Sequence, residues 1–231
     1  MFTLVYGNDL FDFPRLANEM FNDRRVQFKE DLGWDLDIDP EGREIDHYDL
    51  MNPLYVILKN DHGRHLASGR LLPTTGPTMI ADHFSDLTDD VAIESSLIWE
   101  VTRVFVAERG KDSVRNAARL MWGGAQIGLR AGVEFYVSVT PKYMTRVFAA
   151  CGWPAEIIGE KVTEKDGHLC ACLWEINEKN CDALARKAKI DAGSIDLRVH
   201  RKPIRAPQTK ALNPAFLPPV APTTPVASKI C

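Results

Sequence analysis

The sequence predicts an α/β fold: one mixed, largely antiparallel sheet flanked by helices over residues 1–191, then a basic, proline-rich and mostly disordered tail over residues 192–231. Three observations point there. Apolar runs of strand length recur along the body, bounded by turn residues. The windows between them carry helical spacing and helix-end signals. Seven of the 14 prolines follow Lys202, in a stretch without evident apolar period. Alternating elements of this kind form layers around one core.

The elements follow in order. Phe11 to Phe28 reads as a helix, with Leu16, Met20 and Phe21 on its apolar stripe, Pro14 near its start and Arg24 and Arg25 at its close. "GWDLDIDPEGREIDHYD" is polar and turn-rich, hence a loop. "PLYVILKN" and "HLASGRLLP" flank the turn "DHGR" and form a hairpin. Directly after the second strand comes the stiff turn Pro73-Thr74-Thr75-Gly76-Pro77. "SLIWEVTRVFVAE" is a third strand. Ser113 is placed to cap a helix reaching about Ala131, with Gly132 just past its end. "VEFYVSV" is a strand. Thr140 and Pro141 have the N-cap and first-turn character that opens a helix ending at Gly152. "AEIIGEKV" and "HLCACLWEI" pair about Asp166-Gly167, and a short helix from Asn177 closes the body.

Composition excludes several classes. After Asp196 there are six basic residues and no acid; the chain's formal charge of -4 therefore leaves -10 on residues 1–196. A broad nucleic-acid footprint is not expected of so acidic a body. No run is long and apolar enough to span a bilayer, and no basic leader precedes an apolar stretch. Cys151, Cys170, Cys172, Cys181 and Cys231 are odd in number and lack CxxC spacing. They indicate neither a disulfide framework nor a metal site, and fit a reducing cytoplasm.

The informative charges lie within or beside apolar strands, where an unpaired charge is expensive. Arg70 precedes Leu71-Leu72; Glu100 follows Leu97, Ile98 and Trp99; Arg103 precedes Val104, Phe105 and Val106. Asp46 and Asp49 flank Tyr48, and Arg24 and Arg25 lie upstream. Either each charge is solvated or locally paired, or the three acids and the arginines form one buried cluster. Strand alternation sets a condition. On period 2, Glu100 and Arg103 point to opposite faces, so they share a site only if a bulge separates them. Beyond this strand, Arg109-Gly110-Lys111 leads into the helix at Ser113, a place where free backbone N–H groups can cradle phosphate.

These residues resemble the acyl-homoserine-lactone synthases, the autoinducer synthases of bacterial quorum sensing. The match lies in Arg24, Phe28 and Trp34 of "RRVQFKEDLGW", Asp46 and Asp49 of "DHYD", Arg70 of "GRLLPTTGP", Phe84 of "ADHF", and Glu100 and Arg103 of "WEVTRVFV", over roughly residues 4–176. The resemblance implies a fold similar to the GNAT acyl-CoA N-acyltransferases, a three-layer arrangement whose splayed sheet admits a phosphopantetheine arm. It implies a two-step reaction on S-adenosylmethionine, a consumed substrate, with no cofactor. The α-amine takes an acyl group from acyl carrier protein or acyl-CoA; ring closure then expels methylthioadenosine.

Under this resemblance Glu100, Arg103, Asp46, Asp49 and Arg70 are the catalytic set, with Glu100 as general base. Arg24, Phe28, Trp34 and Phe84 are substrate-binding residues, Arg24 suiting the carboxylate of S-adenosylmethionine and Phe28 and Trp34 its adenine or sulfonium. The acyl chain is expected between the strand Val133–Thr140 and the helices bearing Met121, Trp122, Met144 and Phe148, with Thr140 sensing oxygen at the acyl C3. Lys111, Arg115, Arg119, Lys142 and Arg146 are candidates for docking an acidic carrier protein. Two alternatives stand: a GNAT-type acetyltransferase using acyl-CoA and another amine, and a silent relative that only binds the acyl carrier or ligand. Methylthioadenosine release separates both from the synthase.

Overall fold

The computed structural model describes residues 1–107, 110–164, 166–191 and 195–201. In chain order the elements are β1 (Phe2–Tyr6), α1 (Gly7–Leu10), α2 (Pro14–Arg24), a π-helical stretch (Arg25–Asp31), a 3-10 turn (His47–Met51), β2 (Leu54–Lys59), β3 (His65–Pro73), α3 (Met79–His83), a second 3-10 turn (Ser85–Thr88), β4 (Ile98–Val106), α4 (Ser113–Ala131), β5 (Phe135–Pro141), α5 (Met144–Ala150), β6 (Glu156–Thr163), β7 (Gly167–Glu175), α6 (Glu178–Ala188) and β8 (Val199–His200). The eight strands make one sheet in the order β6-β7-β5-β4-β3-β2-β1-β8. Among the described residues, only β4–β5 and β1–β8 pair in parallel.

Both faces of the sheet are covered. On one face α4 crosses β2, β3 and β4 with α6 beside it, over Leu4, Leu54, Val56, Leu58 and Leu71. α4 lies close because of its glycines: a Cβ on Gly123 would meet the Phe2 ring at 2.5 Å, and one on Gly128 would meet Ile176 at 2.5 Å. On the other face the core is split. Val5, Leu10, Leu16, Met20, Phe21, Tyr55 and Ile57 form one apolar cluster under α1 and α2. Ile80, Leu87, Val137, Leu169 and Ala171 form another by α3.

The hairpin, the third strand and the α4 limits match expectation, with Gly132 in the left-handed region at φ 71°. Four local readings change. The first helix starts at Pro14 and, after Arg24, widens into π geometry, where Phe28 is buried. Asp112 is the cap of α4; Ser113 is its first helical residue, and its Oγ accepts from Gly110 N–H at 2.7 Å. Thr140 and Pro141 do not open a helix. They end β5, because pairing to β7 runs through Thr140–Cys170 and Pro141–Leu169 and continues with Lys142 N–H donating to the His168 carbonyl at 2.8 Å. The expected boundary at residue 191 also falls short: Met1–Arg201 is one compact unit, with Leu197 buried and Val199–His200 parallel to β1. Ile195, Leu197 and Val199 have the strand period that the prolines beyond them obscure. The remainder of the expected tail, residues 202–231, lies outside the described residues. No helix among the described residues is long and apolar enough to cross a membrane.

Candidate active site

Two cross-strand rows build the site between the divided cores. Tyr55, Arg70 and Thr102 are successive partners across β2, β3 and β4; Leu72, Glu100 and Val137 are successive partners across β3, β4 and β5. Directly paired residues share a face, so Arg70 and Glu100 project to the α2 and α3 side.

Arg103 joins them through a bulge. The β3–β4 register slips between Ser68 and Arg70, setting Arg103 and Val104 against Gly69. Arg103 sits at φ 53°, in the left-handed region. For a non-glycine residue that costs on the order of 1–3 kcal/mol. The slip returns Phe105 to the same face and lets Arg103 reach the acids there. This is the bulge that strand alternation required.

The arginines meet three acids. Arg24 pairs with Glu44 at 2.5 Å and with Asp49 at 2.9 Å. Arg70 pairs with Asp46 at 2.5 Å and Asp49 at 2.8 Å, and its Nε donates to Thr102 at 2.9 Å. Arg103 pairs with Glu44 at 2.9 Å and Asp46 at 3.0 Å. Arg24, Arg70 and Glu44 are each 1% exposed. Three positive and three negative groups balance, and nearly every lone pair and N–H is used; without that, desolvation would make the cluster prohibitive. Arg25 stays outside and pairs with Glu30 at the surface.

The spacing of "DHYD" has a local cause. Asp46 caps the 3-10 turn by accepting from Asp49 N–H at 3.2 Å, and Asp49 accepts from Asp46 N–H at 2.9 Å. The i, i+3 carboxylates form a reciprocal capping box that aims both at the arginines. Burial opposes ionisation of Asp49, but Arg24 and Arg70 overcome it and hold its carboxyl well below the usual range. Tyr55 donates to Asp49 at 2.6 Å; burial and Asp49 push the phenol well up.

Glu100 lies beside the cluster. It is 1% exposed and accepts from the N–H groups of Met79 at 2.9 Å and Ile80 at 2.7 Å. Burial raises its pKa, opposed in part by those N–H groups and by Arg70. Past Glu100 the parallel pairing stops: β4 and β5 match only at Ile98–Phe135, Trp99–Tyr136 and Glu100–Val137. The strands part immediately beyond the carboxylate.

An aromatic wall closes one side. Phe28 and Trp34 stack with centroids 4.9 Å apart, Phe28 meets Phe105 edge-on at 5.5 Å, and the Arg103 guanidinium lies 5.6 Å from the Phe28 ring. Phe28 is buried, whereas Trp34 is 36% exposed. Phe84 lies apart, at the end of α3 on the Ile80 cluster, with Lys161 over its ring at 5.3 Å.

Other expected residues fall elsewhere. Thr140, paired with Cys170, and Met144 and Phe148 are on the opposite face; Phe148 packs edge-on against Trp174 at 5.0 Å, and Trp122 packs on Phe2. Of the docking candidates, Arg115 pairs with Asp112, Lys142 with Glu160 at 2.5 Å, and Arg119 donates to the Ala188 carbonyl at 3.3 Å; Lys111 and Arg146 are exposed. Arg109 lies outside the described residues. Among those described, Glu160, His168 and Cys170 gather ligand-type atoms, but the Lys142 ammonium already holds the Glu160 oxygen between them. Glu44, Tyr55 and Met79 belong to the site without having been expected. Glu44 sits two positions before Asp46, the one available signal.

The family profile described as autoinducer synthase matches residues 12–184. The chain belongs to the autoinducer synthase family. An acyl-homoserine-lactone synthase of Rhizobium etli is 31% identical over 186 residues, covering 78% of this chain and 87% of the relative. Among solved structures, the CoA-dependent acyl-homoserine lactone synthase BjaI, with SAM and isopentyl-CoA, aligns with a TM-score of 0.74 at 23% identity, over 83% of this chain and 90% of that one. An acyl-CoA N-acyltransferase from Pseudomonas aeruginosa aligns at 0.50 and 15%, over 75% and 98%. These likenesses identify the fold of this autoinducer synthase as GNAT-like.

Proposed function

We propose that this chain makes an N-acyl-L-homoserine lactone from S-adenosylmethionine and an acyl thioester carried on phosphopantetheine. The observation that carries the reading is Glu100: a buried carboxylate of raised pKa, beside a balanced arginine–carboxylate cluster, at the point where β4 and β5 part.

In this reading the phosphopantetheine arm enters the split, bringing the thioester carbonyl beside β4. Glu100, directly or through one water, takes a proton from the substrate ammonium; a carboxylate with raised pKa is the better base near neutral pH. The free amine attacks the carbonyl, the C–S bond breaks, and the carrier thiol leaves. Backbone N–H groups that β4 no longer gives to β5 can steady the oxyanion. The substrate carboxylate lies on the arginines, where guanidinium suits it. It then attacks the γ carbon; the bond to sulfur breaks, methylthioadenosine leaves and the ring closes. Phe28 and Trp34 offer ring faces to the sulfonium or adenine. No cofactor takes part.

The carrier is acyl carrier protein or CoA. Both supply the same arm, and relatives named for CoA dependence share the fold. The test is mass spectrometry of extracts from a host expressing the chain, with methylthioadenosine release in vitro from each donor class. A homoserine-lactone fragment with a discrete acyl mass supports the reading. No release with either donor overturns it.

A further inference from the structure

Met79 stands in an unusual place. Its sulfur is 3.6 Å from Arg103 Nη1 and 3.7 Å from Arg70 Nη2. Its own N–H holds Glu100. A thioether is a weak acceptor, whereas a guanidinium binds a carboxylate strongly and with directional preference. Arg70 Nη2 also donates to Asp46 at 3.0 Å, leaving its second N–H to the sulfur; the remaining nitrogens of the two arginines reach Glu44, Asp46, Asp49 and Thr102. The two N–H groups on Met79 thus converge on one atom that holds them poorly. Residue 79 is half-buried, at the first position of a five-residue helix that follows the Pro73–Pro77 turn.

We propose that Met79 is a positioning residue: its thioether fills the seat of the substrate carboxylate between Arg70 and Arg103, and the arriving carboxylate displaces it. The inference rests on the synthase reading. Met79 and Ile80 supply the two N–H groups on Glu100, so a displacement that carries the start of α3 with the side chain also loosens that carboxylate and releases the base as the substrate seats. A seat occupied by the protein's own side chain lowers apparent affinity in proportion to the fraction of molecules in which it is filled.

The test uses the full chain and two nucleosides, S-adenosylhomocysteine, which has the amino-acid carboxylate, and methylthioadenosine, which lacks it. By calorimetry, Met79→Ala should tighten the first by about three- to tenfold and leave the second within about twofold. Met79→Leu, which keeps the bulk and removes the acceptor, should shift the first in the same direction. In the native chain, S-adenosylhomocysteine should speed hydrogen exchange at Met79 and Ile80, and methylthioadenosine should not. If Met79 were only a wall of the pocket, truncation would weaken both ligands alike; that result, or unchanged binding, overturns the Met79 role alone. Failure of the native chain to bind either nucleoside overturns the synthase reading and this role with it.

Discussion

Arg103 reaches Glu44 at 2.9 Å across 59 positions of the chain, and it does so from a backbone at φ 53°. The pair joins the bulge in β4 to the loop before the first 3-10 turn. Glu44 also holds Arg24, so one carboxylate ties α2, the loop and the sheet together.

Removing Glu44 should therefore be costly. Glu44→Ala leaves Arg24 and Arg103 short of an acceptor in a buried place, and loss of one partner from such a cluster costs about 3–5 kcal/mol. Glu30→Ala removes the partner of surface Arg25 and should cost under about 1 kcal/mol. Denaturant titration of both variants checks the contrast; equal small losses would mean that the cluster adds nothing to stability.

The same cluster fixes a pH dependence. The folded-state pKa of Asp49 is depressed by Arg24 and Arg70 against the effect of burial. A depressed carboxyl contributes stability that is fully present above its unfolded value, about 3.9, and is lost as pH falls through the folded value. The stability difference between native chain and Asp49→Asn should be largest near neutral pH and shrink as pH falls below about 4. A difference that is flat with pH would remove Asp49 as a source.

Glu100 should behave in the opposite sense. Burial raises its pKa, so the base form appears at higher pH than for an ordinary glutamate. The acid limb of methylthioadenosine release should be shifted upward relative to an ordinary glutamate. Glu100→Gln should abolish the limb and lower turnover by about 10²–10⁴, with nucleoside affinity little changed. Unchanged turnover would remove Glu100 from the chemistry.

What could be read in the sequence divides along physical lines. β2 and β3 were legible because both faces are buried and their apolar runs end at clear turns. The bulge was legible as a condition, because Glu100 and Arg103 cannot otherwise share a face. Glu44 was not: in a polar loop, a charge that folds inward looks like one that stays in water. Thr140-Pro141 carried a helix-start signal that pairing with β7 overrode, since local propensity yields to a ladder that extends past it. Ile195, Leu197 and Val199 were masked by their proline-rich surroundings. Family motifs located the cluster, but only the three-dimensional register placed Met79 on the arginines.

Trp34 offers a test of the aromatic wall that separates binding from folding. It stacks on buried Phe28 and lies 6.0 Å from the Arg103 guanidinium, yet it is 36% exposed. Its removal deletes a face that a sulfonium or adenine can use while leaving the core largely intact. Trp34→Ala should cost about 1 kcal/mol or less in stability. It should weaken S-adenosylmethionine binding by roughly five- to thirtyfold, corresponding to a desolvated cation–π or stacking contact of about 1–2 kcal/mol. Phe28→Ala, by contrast, should lose about 3–5 kcal/mol of stability, because it opens a cavity beneath Phe105 and Arg103. Denaturation and calorimetry on the two variants should therefore give opposite profiles. If Trp34→Ala unfolds as readily as Phe28→Ala with unchanged affinity, the wall is packing alone and the substrate lies elsewhere.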